Sequence, residues 1–210
     1  MTVFFLVRHA VTDVTGKRLP APEVPLSEAG RSQASALAGA LTDAPFDAIY
    51  ASPIRRALQT ARAIAKEHEP SVDVRPALAD VDYGRWVDRS LASVAKTKLW
   101  AKVRTWPSAV RFPEGETIRE VQVRALGEIE RIAEEVPKGA VCCVSHADVI
   151  RLVIAHYMGI HIDLYQRMSV APASVSLLSL SESGPHVLGV NLTAEGITFP
   201  RKRSARKGRS

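Results

Sequence analysis

Cysteine is scarce in this chain of 210 residues: Cys142 and Cys143 are all it has, and they are neighbours. They fall inside the apolar run 140–144. Consecutive strand residues point to opposite faces, so no disulfide is expected between them, and two thiols cannot build a zinc site unaided. Reduced core thiols fit a cytoplasmic protein. Long apolar stretches are also missing. None reaches the ~18 residues of a spanning helix, so no membrane partner is expected. The first residues lack a charged segment leading into an apolar one, and the run 3–7 is too short for a secretory leader. Acidic residues are absent from 201–210, which hold Arg201, Lys202, Arg203, Arg206, Lys207 and Arg209. Without those six, the 28 basic residues fall level with the 22 acidic ones, so the net charge of +6 belongs to the tail. A tail this polar cannot bury a core. The expectation is one domain over 1–198 and a basic, disordered segment over 199–210, with no nucleic-acid role for the body.

What the chain does have is ordinary for a globular domain: 46% hydrophobic and 24% charged residues. Its most informative stretch is 3–15. Five apolar residues run into Arg8-His9 and then into small and hydroxyl-bearing residues. The run suits a strand buried on both faces, and its carboxyl end is where open α/β sheets place ligands. A guanidinium offers a planar fork of donors to anionic oxygens, and a neutral imidazole offers a lone pair to phosphorus. Taken alone, the dipeptide reads first as polar residues closing a core strand.

Further along, a loop carries Pro20, Pro22 and Pro25, and Ser27 caps a helix running to about Leu41. A second buried strand over 46–51 ends at Ser52-Pro53, with a helix expected from Pro53 to about His68. A short strand follows at 72–74, then a loop at 80–86 turning at Tyr83-Gly84. Helical periodicity marks about 90–104 and, more strongly, 117–136. A fourth strand over 140–144 leads into a helix over 148–158 ended by Gly159. Two antiparallel edge strands are expected at 174–180 and 186–190, and such an edge suits pairing in a homodimer. The early strand–helix alternation implies a three-layer α/β sandwich: a mostly parallel central sheet with helices on both faces.

Three strand ends then carry polar residues: Arg8-His9, Ser52 to Arg56, and Ser145 to Asp148. In a parallel sheet all three open on one edge, bringing two imidazoles and at least two guanidiniums together.

At this point the chain resembles the histidine phosphatase superfamily, the phosphoglycerate-mutase-like proteins. Leu6-Val7-Arg8-His9-Ala10 is similar to their Arg-His-Gly signature, and Pro25-Leu26-Ser27-Glu28-Ala29-Gly30 to their first-helix motif. Ser52-Pro53-Ile54-Arg55-Arg56-Ala57 resembles the second Arg motif, residues 78–86 the acid segment, 113–117 the Gly-Glu-Ser/Thr step, and 144–147 the second His motif. The resemblance covers about residues 2–190. It implies a nucleophile at His9 that forms a phosphohistidine, with Arg8 and Arg56 clamping the phosphoryl oxygens and His146 as a further donor. It also implies a carboxyl acid, for which Asp80 is chosen and Asp82 is the rival. Arg55 is the weaker choice of clamp. Thr15 stands where relatives place an Asn on phosphate; Ala10 replaces a Gly, and Val11 replaces a residue that can hydrogen-bond. No metal and no cofactor are implied.

Other features read as structural. His68, His156, His161 and His186 show no ligand spacing, Glu116 opens a helix where a carboxylate suits the dipole, and Trp86, Trp100 and Trp106 suit core packing or a pocket cap. The expected activity is hydrolysis of a small phosphomonoester. A phosphomutase is the alternative, weakened because Arg104 and Arg111 are far apart. A non-catalytic phospho-ligand binder is the third reading. Substrate choice is expected to lie in 84–113 and the Pro-rich loop.

Overall fold

The computed structural model describes residues 1–196; the basic segment 199–210 and the domain limit at 198 lie outside them. The strands are β1 (Thr2–Arg8), β2 (Phe46–Ala51), β3 (Val72–Val74), β4 (Ala140–Ser145), β5 (Val175–Ser181) and β6 (Gly184–Leu192). They form one sheet in the order β3-β2-β4-β1-β5-β6. β3, β2, β4 and β1 run parallel, while β5 and β6 are antiparallel additions beyond β1. The helices are α1 (Glu28–Leu41), α2 (Arg55–Ala65), α3 (Leu91–Val94), α4 (Lys98–Thr105), α5 (Ile118–Glu135) and α6 (Ala147–Tyr157).

Alternation along the central strands divides the core in two. Phe5, Val7, Ile49, Cys142 and Val144 pack against Leu37, Leu41, Ala57 and Ile64 of α1 and α2. Phe4, Leu6, Tyr50, Val141 and Cys143 face the other way, onto Val121, Ile129, Leu152 and Val153 of α5 and α6. The two cysteines are free and belong to opposite layers, as strand geometry requires. The three-layer α/β architecture is as expected. No helix among the described residues is long and apolar enough to cross a membrane.

Three expectations need correction. The second helix opens at Arg55 rather than Pro53: Ile54 stays extended, and its N–H donates to Ser52 Oγ at 3.2 Å. The helix expected over 90–104 is two helices. Thr97 Oγ1 donates to Val94 O at 2.7 Å and accepts from Trp100 N at 3.1 Å, ending one helix and capping the next. Finally, β5 is not an edge, because it pairs along β1; the edge belongs to β6.

α5 starts on a complete capping box, in which Thr117 and Glu120 satisfy each other's backbone N–H groups. The parallel strands β1, β2 and β4 end side by side, and their next residues are His9, Ser52 and His146.

Candidate active site

His9 follows the last residue of β1 and is 6% exposed. Its Nδ1 lies 2.7 Å from Ala10 O, so the proton sits on Nδ1 and Nε2 carries the lone pair. Arg56 Nε donates to that Nε2 at 3.2 Å. Burial first, and then His146 and Arg56, hold the His9 imidazole well below its ordinary 6.5, which favours the neutral ring.

Arg56, on the first turn of α2, is 1% exposed. Its Nη1 donates to Ala21 O at 3.2 Å and its Nη2 to Asp80 Oδ2 at 2.7 Å. A cation this deep requires partners, and the carboxylate is the one that balances its charge. Arg55 is exposed on the same turn, whereas Arg56 is the arginine turned inward beside His9 and Asp80.

His146 is fully buried, with its ring centroid 5.1 Å from that of His9. Its Nδ1 is 3.3 Å from Asp80 Oδ2 and its Nε2 is 2.8 Å from Ser52 Oγ. Burial, and then Arg56, Arg124 and Arg8, push this imidazole far below its usual range. Arg8 reaches Val170 O through Nη1 at 2.7 Å, while its buried Nε has no partner among the described residues. Burial and then Arg151 disfavour the Arg8 cation, and an anion beside it would relieve both.

Arg8, His9, Thr15 and Asp80 line one cavity of about 410 Å³; Arg56 and His146 are not among its lining residues but contact two of them, Arg56 both His9 and Asp80, and His146 Asp80. The Thr15 hydroxyl points to the local turn, where it accepts from Thr12 N at 2.9 Å and pairs with Thr12 Oγ1 at 3.0 Å. Asp82 does not line this cavity, and its Oδ1 accepts from Gly84 N at 2.8 Å.

None of the three tryptophans lines this cavity, and Trp86 packs among Trp100 and Phe112. His68 lies against Phe46, His156 against Tyr157, and His161 Nδ1 accepts from Asp163 N. Among the described residues, no group of three or more His, Cys, Asp or Glu is placed to hold a metal ion.

Sequence reasoning missed several groups. Tyr83, Asp148 and Arg151 also line the cavity, with Arg151 Nη1 donating to Asp148 Oδ1 at 3.0 Å. Burial pushes the Asp148 carboxyl and the Tyr83 phenol upward. Asp148 lies two residues beyond His146 at a strand end, and that position was its available signal. Arg124 of α5 had none. It donates to the carbonyls of Ala77, Ala79 and Asp80 at 2.7, 2.9 and 2.9 Å, and to both carboxylate oxygens of Glu116. Glu116 in turn accepts from Asp82 N at 3.0 Å, so its carboxylate braces the acid segment from outside the cavity.

The family model described as histidine phosphatase superfamily, branch 1, matches residues 4–193. Phosphoserine phosphatase 1 of Hydrogenobacter thermophilus is 28% identical over 92% of this chain and 93% of its own. A 2,3-bisphosphoglycerate-dependent phosphoglycerate mutase of Gloeobacter violaceus is 29% identical over 73% of this chain and 74% of its own. In fold, the crystal structure of the Entamoeba histolytica phosphoserine phosphatase in complex with 3-phosphoglyceric acid superimposes with a TM-score of 0.82. It shares 21% identity and covers 92% of this chain and 98% of that one. With two histidines and two arginines gathered at the ends of parallel strands and a family match across nearly its whole described length, the chain belongs to branch 1 of the histidine phosphatase superfamily.

Proposed function

We propose that this phosphatase hydrolyses a small-molecule phosphomonoester in two steps, through a phosphohistidine on His9 and without a metal ion. His9 Nε2 attacks phosphorus, the P–O bond to the leaving alcohol breaks, and Asp80 supplies the alcohol's proton. Water then attacks the phosphorus of phospho-His9, Asp80 takes its proton, and the P–N bond breaks to release phosphate. Arg8, Arg56 and the His146 imidazole hold the equatorial oxygens, and Thr15 lies at the same cavity wall. Phosphoryl transfer depends mainly on positioning and charge stabilisation, which these cationic and N–H donors supply.

The observation that carries this reading is the approach of Arg56, Asp80 and His146 to one another and to the Nε2 edge of His9. Arg56 is paired with Asp80 at 2.7 Å. An incoming phosphate dianion competes for that guanidinium and, as a like charge, favours the protonated carboxyl needed for the first step. Nothing comparable supports a mutase: Arg111 is held by Glu120 and Gly115 O, away from the contacts that join Arg56, Asp80 and His146.

The test is hydrolysis of p-nitrophenyl phosphate and a panel of phosphometabolites, with trapping of radiolabelled phosphate on the protein. The wild type is expected to turn over and to carry acid-labile label; His9→Ala is expected to do neither. Binding without turnover in both proteins would establish the binder instead. Isomerisation outrunning phosphate release would establish the mutase.

A further inference from the structure

We infer that Ser52 sets the tautomer of His146, so that the ring presents an N–H to the phosphoryl group from Nδ1; this rests on the reading of the site above. Ser52 is the first residue after β2 and is fully buried. Its hydroxyl oxygen accepts from Ile54 N at 3.2 Å and lies 2.8 Å from His146 Nε2. The hydroxyl proton has no other acceptor among the described residues, so it is donated to Nε2. Were the ring to carry its proton on Nε2 instead, the serine would accept twice and its own proton would be stranded in a site without solvent, a substantial cost.

The other edge of the ring gives the same answer. Nδ1 faces Asp80 Oδ2 at 3.3 Å, where a bare nitrogen would set lone pair against lone pair. Arg56 Nη2 is 3.5 Å from Nδ1, but that nitrogen is already directed at Asp80 at 2.7 Å. His9 and His146 therefore carry their protons on the same ring atom and turn opposite edges to the ligand. One shows a lone pair, fixed by Ala10 O; the other shows a donor, fixed by Ser52.

Ser52 is thus a positioning residue, acting through His146 rather than on substrate. Its hydroxyl is supplied by the same backbone step that delays the start of α2, so the extended conformation of Ile54 places both the serine and Arg56.

The experiment is long-range proton–nitrogen NMR on 15N-labelled protein at neutral pH, with the His146 ring assigned by its disappearance in His146→Asn. The wild type is expected to show a protonated Nδ1 and a bare Nε2. A protonated Nε2 overturns the inference whatever any variant does. In Ser52→Ala the ring is expected to give mixed tautomers, with kcat down about tenfold and KM within about twofold. Ser52→Thr is expected to restore both the spectrum and most of kcat. An unchanged ring spectrum in Ser52→Ala, with activity lost only through a lower Tm, also overturns it. A wild type that traps no phosphate but shows the expected spectrum removes the proposed reaction and leaves the tautomer lock standing.

Discussion

Asp80 holds three partners at once, and its proposed part in the chemistry begins only when substrate arrives. Its Oδ2 meets Arg56 and His146 while Oδ1 accepts from Val81 N. Replacing it with Asn keeps the shape and removes the proton source. Asp80→Asn is expected to lower kcat on alkyl phosphates about 100- to 10,000-fold. The loss on p-nitrophenyl phosphate, whose leaving group needs no proton, should be under about tenfold. Equal losses on both substrates would remove Asp80 from the acid role. The imidazoles make a second prediction at this scale. Both His9 and His146 are held well below 6.5, so they stay neutral in mildly acid solution. The acid limb of kcat/KM is expected below pH 6.5 rather than at it, once the profile is corrected for the ester's own second ionisation at about pH 6.

Among the elements, the loop after β1 is pinned where α1 begins. Val11 O accepts from Ser27 N at 3.1 Å and from Ser27 Oγ at 3.3 Å, and a Cβ on Gly30 would come within 2.0 Å of the same oxygen. Gly30→Ala must therefore push back the loop that carries Ala10 and Thr15. It is expected to lower the Tm and to raise KM for phosphate esters, both read directly by melting and steady-state kinetics. Arg124 performs the matching task on the opposite wall. Its side chain spans from α5 to three carbonyls of the acid segment, so Arg124→Gln is expected to destabilise by about 2–3 kcal/mol in urea unfolding.

These ties also explain what could and could not be read from residue order. The strand ends were legible because apolar runs stop sharply at Arg8-His9, Ser52 and Ser145-His146, and parallel strands deliver their ends to one edge. The choice between Asp80 and Asp82 was not. Both lie on the same irregular segment, and its orientation is set by Arg124, 44 residues further along the chain. The split of the 90–104 helix escaped because Thr97 can serve either inside a helix or as its cap, and its contacts with Val94 and Trp100 decide.

For the molecule as a whole, the buried histidines couple acidity to stability. Each has a folded-state affinity for protons below that of the unfolded chain, so the unfolded state binds more protons as pH falls under about 6.5. Stability contributed by keeping them neutral is complete above that value and declines below it. The urea midpoint is expected to fall steadily between about pH 6.5 and 5, and less steeply in His146→Asn. A midpoint flat over that window would contradict the burial described for these rings.

The side-by-side thiols on β4 offer an internal clock for this molecule. One sulfur looks into each layer of the sandwich, and the strand bearing both runs through the middle of the sheet. A small alkylating reagent can reach either only when its own layer opens. Since the central strand cannot detach from one layer and stay seated in the other, peptide mass spectrometry is expected to find both adducts accumulating at one common rate. Unequal rates would mean that the halves breathe separately.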